Sequence, residues 1–118
     1  MSIKEVTDFM VRMALAEDVG PGDITTRAII PADQMATAEI KAKQKGVVAG
    51  LGIAKEVFWQ LDRRIKFTPQ VKDGKEVKSG TVLARLAGPA RGILTGERTA
   101  LNFLQHLSGI ATLTREFG

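Results

Sequence analysis

Ala36-Thr37-Ala38-Glu39-Ile40-Lys41-Ala42-Lys43-Gln44-Lys45-Gly46 puts Ala36, Ala38, Ile40 and Ala42 on one face of an extended chain and Thr37, Glu39, Lys41 and Lys43 on the other, with a turn at Gln44-Lys45-Gly46. Alternation of period two marks a strand with one face buried and one in water. Such a strand needs pairing partners, and the sequence downstream offers them. Ile65, Phe67 and Val71 alternate with Lys66, Thr68 and Lys72 as far as Asp73-Gly74, and Thr81 to Leu86 follow a further turn at Ser79-Gly80. Turns this short join antiparallel strands. Between the strands, Val47 to Leu51 reads as extended chain. Ile53, Ala54, Val57, Phe58 and Leu61 then recur at helical spacing, with Lys55, Glu56 and Gln60 toward solvent and Trp59 at the edge of the packing.

Outward from this centre, Ser2 and Glu5 form an S-x-x-E capping box, and Ile3, Val6, Phe9, Met10 and Met13 make one apolar stripe of a helix over about 3–17. Two glycines and a proline in Val19-Gly20-Pro21-Gly22 are expected to stop it. On the other side, Gly88-Pro89 precedes a brief strand, Arg91 to Leu94, and a helix with Thr95 as N-cap and Ala100, Leu101, Leu104, Gln105 and Leu107 in its opening turns. Ser108-Gly109 is expected to interrupt or kink that helix. Ile110, Leu113 and Phe117 share one side of the last segment and call for cover from another domain or subunit. The fold class is therefore α+β, a small, mainly antiparallel sheet or sandwich with helices packed on one side.

The chain has 118 residues, 44% hydrophobic and 25% charged, which suits one compact domain. It has no cysteine, so disulfides and thiolate metal sites are excluded. No apolar run approaches the roughly 20 residues that cross a bilayer. Lys4, Glu5, Asp8, Arg12 and Glu17 stand where a signal peptide needs an unbroken apolar core, so the expectation is a cytoplasmic protein with no membrane partner. A net charge of +4 favours an anionic ligand without naming one, because the 17 basic residues are spread from Lys4 to Arg115. Nucleic acid is not expected as a partner: with five Phe, one Trp and no Tyr, no strand shows the aromatic and basic interleaving that base stacking uses.

Three stretches together resemble the quinolinate phosphoribosyltransferase family: Leu15-Ala16-Glu17-Asp18-Val19-Gly20-Pro21-Gly22-Asp23-Ile24-Thr25-Thr26, then Gly96-Glu97-Arg98-Thr99-Ala100-Leu101-Asn102-Phe103-Leu104-Gln105, then Leu107-Ser108-Gly109-Ile110-Ala111-Thr112. Gly46-Val47-Val48-Ala49-Gly50 also fits, and the likeness spans essentially the whole chain. The resemblance implies an N-terminal α/β sandwich domain over residues 1–118. Residues from about 97 to 118 would open a helical connection to an α/β-barrel domain, none of whose sequence is present. It implies an enzyme that joins quinolinate to phosphoribosyl pyrophosphate, releases pyrophosphate and carbon dioxide, and leaves nicotinate mononucleotide for NAD synthesis. The barrel would supply most contacts to the phosphoribosyl and pyrophosphate groups and to Mg²⁺, so no cofactor is expected on this chain and the isolated polypeptide is expected to be inactive. The family forms dimers, or higher oligomers, in which the N-terminal domain of one subunit closes over the barrel of another. The arginine of its E-R-x-x-L-N motif, here Arg98, would then reach quinolinate in the neighbouring site. No catalytic residue and no metal ligand is assigned to this chain.

The chemistry of Arg98 can be stated on its own terms. Quinolinate carries two carboxylates, and a guanidinium presents a planar fork that grips a carboxylate through two parallel charge-assisted hydrogen bonds. With a helix start near Thr95, unpaired backbone N–H groups would add positive potential. The plain alternative is that Arg98 pairs with Glu97 or another surface carboxylate.

Other candidates point elsewhere. Glu17, Asp18 and Asp23 lack the ligand spacing of a calcium loop and suit a helix end and tight turn, with Asp23 as a cap and Thr25 or Thr26 bonding to nearby backbone. His106 has no cysteine and no serine whose placement argues a nucleophile pair, and suits a packed or surface position. Gly46, Gly50 and Gly52 do not follow a nucleotide-binding order and suit turns and close approach. Two rival readings are a paralogous domain of the molybdenum-operon type and a biotinyl or lipoyl carrier module. The second is suggested by the rhythm of Val71, Asp73-Gly74, Val77, Gly80 and Leu83, with Lys43 or Lys45 as a hairpin-tip lysine.

Overall fold

The Ser2 hydroxyl accepts the Glu5 N–H at 3.1 Å, and the Glu5 carboxylate accepts the Ser2 N–H in return at 3.4 Å. This capping box opens α1, Ile3–Asp18. The structure, a computed structural model, describes residues 2–117, with the side chains of residues 20–24 left out of the description. The order continues α2 Gly20–Ile29, β1 Met35–Lys41, β2 Gly46–Val47, α3 Leu51–Leu61, β3 Lys66–Pro69, β4 Glu76–Val77, β5 Val82–Pro89 and α4 Ala90–Phe117.

β5 is the centre of a three-stranded antiparallel sheet, with β1 and β3 on its two sides, while β2 and β4 form a separate two-stranded ladder. In the main sheet Ile40 pairs with Ala84 and Ala38 with Leu86 on the inner face, and Phe67 faces Leu86 from β3. Helices cover that face alone. The outer face carries Glu39, Lys66 and Arg85 into solvent, where Arg85 and Glu39 form an exposed ion pair at 3.0 Å. Val11, Ala54, Val57, Phe58 and Ala100 are fully buried between sheet and helices, and the Phe58 and Phe67 rings stack with centroids 6.2 Å apart.

Several local expectations are corrected. Val19-Gly20-Pro21-Gly22 ends α1 but does not leave the helical state, because α2 begins at Gly20 with proline in its first turn, where the missing N–H costs nothing. Thr25 and Thr26 therefore lie within a helix, and the Asp23 side chain lies outside the described residues. Val47 to Leu51 is extended only at its start; Gly50 takes a left-handed φ of 99° and α3 follows at once. With no side chain on Gly50 to cap it, α3 borrows one: the Leu51 N–H donates to Asp73 Oδ1 at 3.2 Å. Arg91 to Leu94 is helix and not strand, so Thr95 is no N-cap, and Ser108-Gly109 does not interrupt the 28-residue α4.

The last correction concerns α1. Val11 and Leu15 are buried, whereas Ile3, Val6, Phe9, Met10 and Met13 are 41% to 87% exposed. The helix thus carries two apolar faces, about 155° apart at 3.6 residues per turn, and the domain uses the shorter one. The Gln60 amide of α3 donates to the Asp8 carbonyl at 2.9 Å and fixes that choice.

Candidate functional site

Arg98 is the ninth residue of α4, which begins at Ala90. Its backbone therefore lies two turns inside the helix, and the expected contribution of unpaired N–H groups at a helix start does not apply. The side chain is exposed, while Gly96, Thr99 and Ala100 beside it are buried. Among the described residues it makes no side-chain hydrogen bond and no ion pair, so the pairing with Glu97 is not formed.

The backbone beneath Arg98 is held on three sides. Thr99 Oγ1 donates to Asp18 Oδ2 at 2.8 Å, joining the end of α1 to α4. Gly96 lets α3 come close, since a Cβ there would stand 2.7 Å from Leu61 Cδ1 and 3.0 Å from the Phe58 ring. Two turns before Arg98, the Arg91 guanidinium donates from Nε to the Ile30 carbonyl at 2.6 Å and from Nη2 to the Arg27 carbonyl at 3.3 Å, which closes the end of α2 onto α4. An exposed cation on a braced helix suits the binding of an anion delivered from outside.

The far half of α4 is braced by hydroxyls. Thr112 Oγ1 accepts the Val47 N–H at 2.9 Å, and Ser108 Oγ accepts the Ala49 N–H at 3.0 Å. Two helical side chains thus serve backbone donors that a neighbouring strand would otherwise satisfy. Gly46 makes room for the contact, as a Cβ there would lie 2.7 Å from Thr112 Oγ1. A cleft of about 510 Å³ lies between this half of α4 and the segment from Ile40 to Val48, with Lys41, Lys43 and Lys45 on one side and Gln105 and Glu116 on the other. Arg98 is not among its walls.

The remaining candidates fall apart in space or find local roles. Asp18 is taken up by Thr99, and among the described residues no three His, Asp or Glu side chains gather as metal ligands. His106 is exposed on α4. At the α3–β3 turn, hydrogen bonds from the Arg64 side chain and backbone hold the Asp62 carboxyl below its ordinary value. Sequence reading missed the Thr99–Asp18 tie, which joins residues 81 positions apart. Its only signal was a threonine at helical spacing with Gly96, Ala100 and Leu104.

An antiparallel sheet with one face open and helices on the other defines a small α+β domain. Residues 23–108 match the family described as quinolinate phosphoribosyl transferase, N-terminal domain, and the chain belongs to that family. It is 48% identical over 100 residues, 85% of its length, to a probable nicotinate-nucleotide pyrophosphorylase (carboxylating) of Bacillus subtilis, and 42% identical over 107 residues, 90% of its length, to a chloroplastic enzyme of the same name from Arabidopsis thaliana. Its fold superposes on NadC of Streptococcus pyogenes with a TM-score of 0.88 and 40% identity, covering 97% of this chain and 40% of that one. The chain spans about a third of the length of the curated relatives, 34% and 31% for the two named.

Proposed function

We propose that this domain works as the N-terminal part of an enzyme that condenses quinolinate with phosphoribosyl pyrophosphate, yielding nicotinate mononucleotide, pyrophosphate and carbon dioxide for NAD biosynthesis. Within that enzyme its role is to help form a homodimer or higher oligomer and to present Arg98 to a carboxylate of quinolinate in a partner subunit's barrel. A single observation carries the reading: Arg98 is exposed, has no side-chain partner among the described residues, and rises from a helix segment whose neighbouring residues are buried.

The division of labour follows from charge. Quinolinate arrives as a dianion, and a guanidinium that has no internal carboxylate to release can bind it without breaking an existing pair. A braced helix keeps the fork oriented, so less freedom is lost on binding. Departure of pyrophosphate calls for cationic stabilisation of its own, which in this proposal is supplied by Mg²⁺ and by residues of the barrel. In this proposal no residue of this chain holds the metal. A cytoplasmic setting is part of the same proposal. No helix among the described residues is long and apolar enough to cross a membrane.

The decisive experiment mixes this chain with the separately expressed barrel domain of a relative and follows nicotinate mononucleotide. Activity that appears only in the mixture and is lost with Arg98→Ala supports a composite site. Full activity of the barrel alone, or of the mixture carrying Arg98→Ala, overturns it.

A further inference from the structure

Thr99 is the one polar residue buried among the described residues, and it adjoins Arg98. A valine would fill the same space without a polar group to satisfy. The hydroxyl is met instead by a carboxylate: Asp18 Oδ2 accepts it at 2.8 Å from the last turn of α1. Among the described residues that hydroxyl is the only side-chain partner Asp18 has. Asp18 joins no metal-ligand group among the described residues either, which leaves this bond as its contribution.

What the pair adds is direction. Gly96, Ala100 and Leu104 are buried on the apolar side of α4, and burial of apolar surface holds a helix close without fixing its rotation about its own axis, because it is non-directional. A hydrogen bond weakens steeply as its angle departs from the preferred one. Neighbouring residues stand about 100° apart round a helix, so holding Thr99 against α1 sets the bearing of Arg98. At roughly 6 Å from the axis, a turn of about 10° carries a side chain through about 1 Å, and a misplacement of that size costs up to about 100-fold in rate. The next helix grips α4 a second time, through the Arg27 and Ile30 carbonyls on Arg91, so the segment from α1 to the end of α2 holds α4 on both sides of Arg98 in sequence. We infer, on the basis of the assignment of Arg98 to quinolinate, that Asp18 is a positioning residue of the reaction, acting through the Thr99 hydroxyl to set the bearing of the Arg98 guanidinium.

Steady-state kinetics of a complete enzyme carrying this domain test it. Asp18→Ala and Thr99→Val should each raise KM for quinolinate by about tenfold or more and leave KM for phosphoribosyl pyrophosphate unchanged. A purely structural role would lower the amount of folded enzyme, and so kcat, with both KM values where they were. Thr99→Ser keeps the donor and Asp18→Asn keeps an acceptor oxygen, so each should recover most of the loss. Beside Arg98→Ala, Thr99→Val should add less than about a twofold change, because the group it aims is gone. Native KM values in both Asp18→Ala and Thr99→Val overturn the inference, as does an effect of Thr99→Val that persists in full beside Arg98→Ala. Either result, with Arg98→Ala itself impaired, leaves Arg98 on quinolinate and removes Asp18 alone. Native kinetics in Arg98→Ala overturn the assignment of Arg98 and the role of Asp18 with it.

Discussion

Thr99, 1% exposed, donates its hydroxyl to the Asp18 carboxylate at 2.8 Å and so ties the last turn of α1 to the residue adjoining Arg98. The bond is charge-assisted and its donor is buried. Thr99→Val keeps the shape and removes the donor, and should cost about 1–2 kcal/mol in urea unfolding. Asp18→Asn retains an acceptor oxygen and should cost less. Equal losses in the two variants would mean that the pair contributes through packing and not through the hydrogen bond.

Two glycines make opposite predictions. Gly96→Ala forces a methyl group against Leu61 and the fully buried Phe58 ring, and should destabilise by about 1–3 kcal/mol. Gly52→Ala meets nothing within 4 Å on α3 and should stabilise by about 0.5–1 kcal/mol. Thermal denaturation of the two single variants checks both signs.

The α3–β3 turn predicts a pH dependence. Three hydrogen bonds from Arg64, at 2.9 to 3.1 Å, hold Asp62 ionised below its ordinary value of 3.8. A carboxylate whose folded pKa is lowered adds stability that is complete above its unfolded value and lost as pH falls through the folded one. Urea midpoints measured from neutral pH into the acid range should fall less steeply for Asp62→Asn than for the native chain. Parallel curves would remove Asp62 from the acid response.

In a complete enzyme carrying this domain, Arg98→Ala should lower kcat/KM for quinolinate by about 2–5 kcal/mol of transition-state binding. Stability should move by no more than about 0.5 kcal/mol, because the side chain is exposed and unpaired. Arg98→Lys keeps the charge but loses the fork, and should recover only part of the activity. Normal kinetics in Arg98→Ala would take the residue out of the site.

How much of this was legible depended on whether a signal was local. The capping box at Ser2 and Glu5 and the alternation from Ala36 to Ala42 declare themselves within a few residues, and both stand in the structure. Arg91 to Leu94 misled, because a glycine followed by Ile93 reads as strand until Gly92 is seen to approach Ile65, a contact distant in sequence. Ser108-Gly109 reads as a break by composition, yet the Ser108 hydroxyl is engaged by Ala49 and the helix runs through. In α1 the longer apolar stripe was read as the helix's single apolar face, and it is the shorter one that the core holds. For the candidate site, Arg98 was visible as a motif residue, whereas its surroundings were misjudged along with the helix start.

The unbroken course of α4 gives the domain a lever. Fourteen residues separate Arg98 from Thr112, which is fastened to Val47, and at 1.5 Å per residue that arm is about 21 Å long. A pivot of about 5° at the Thr112 fastening would sweep the guanidinium through roughly 2 Å, more than a reacting geometry tolerates, and the Thr99–Asp18 bond beside Arg98 opposes such a pivot. Glycine at position 46, by seating that fastening, and the Thr99–Asp18 bond hold the two ends of this arm, so the rod keeps one line between them.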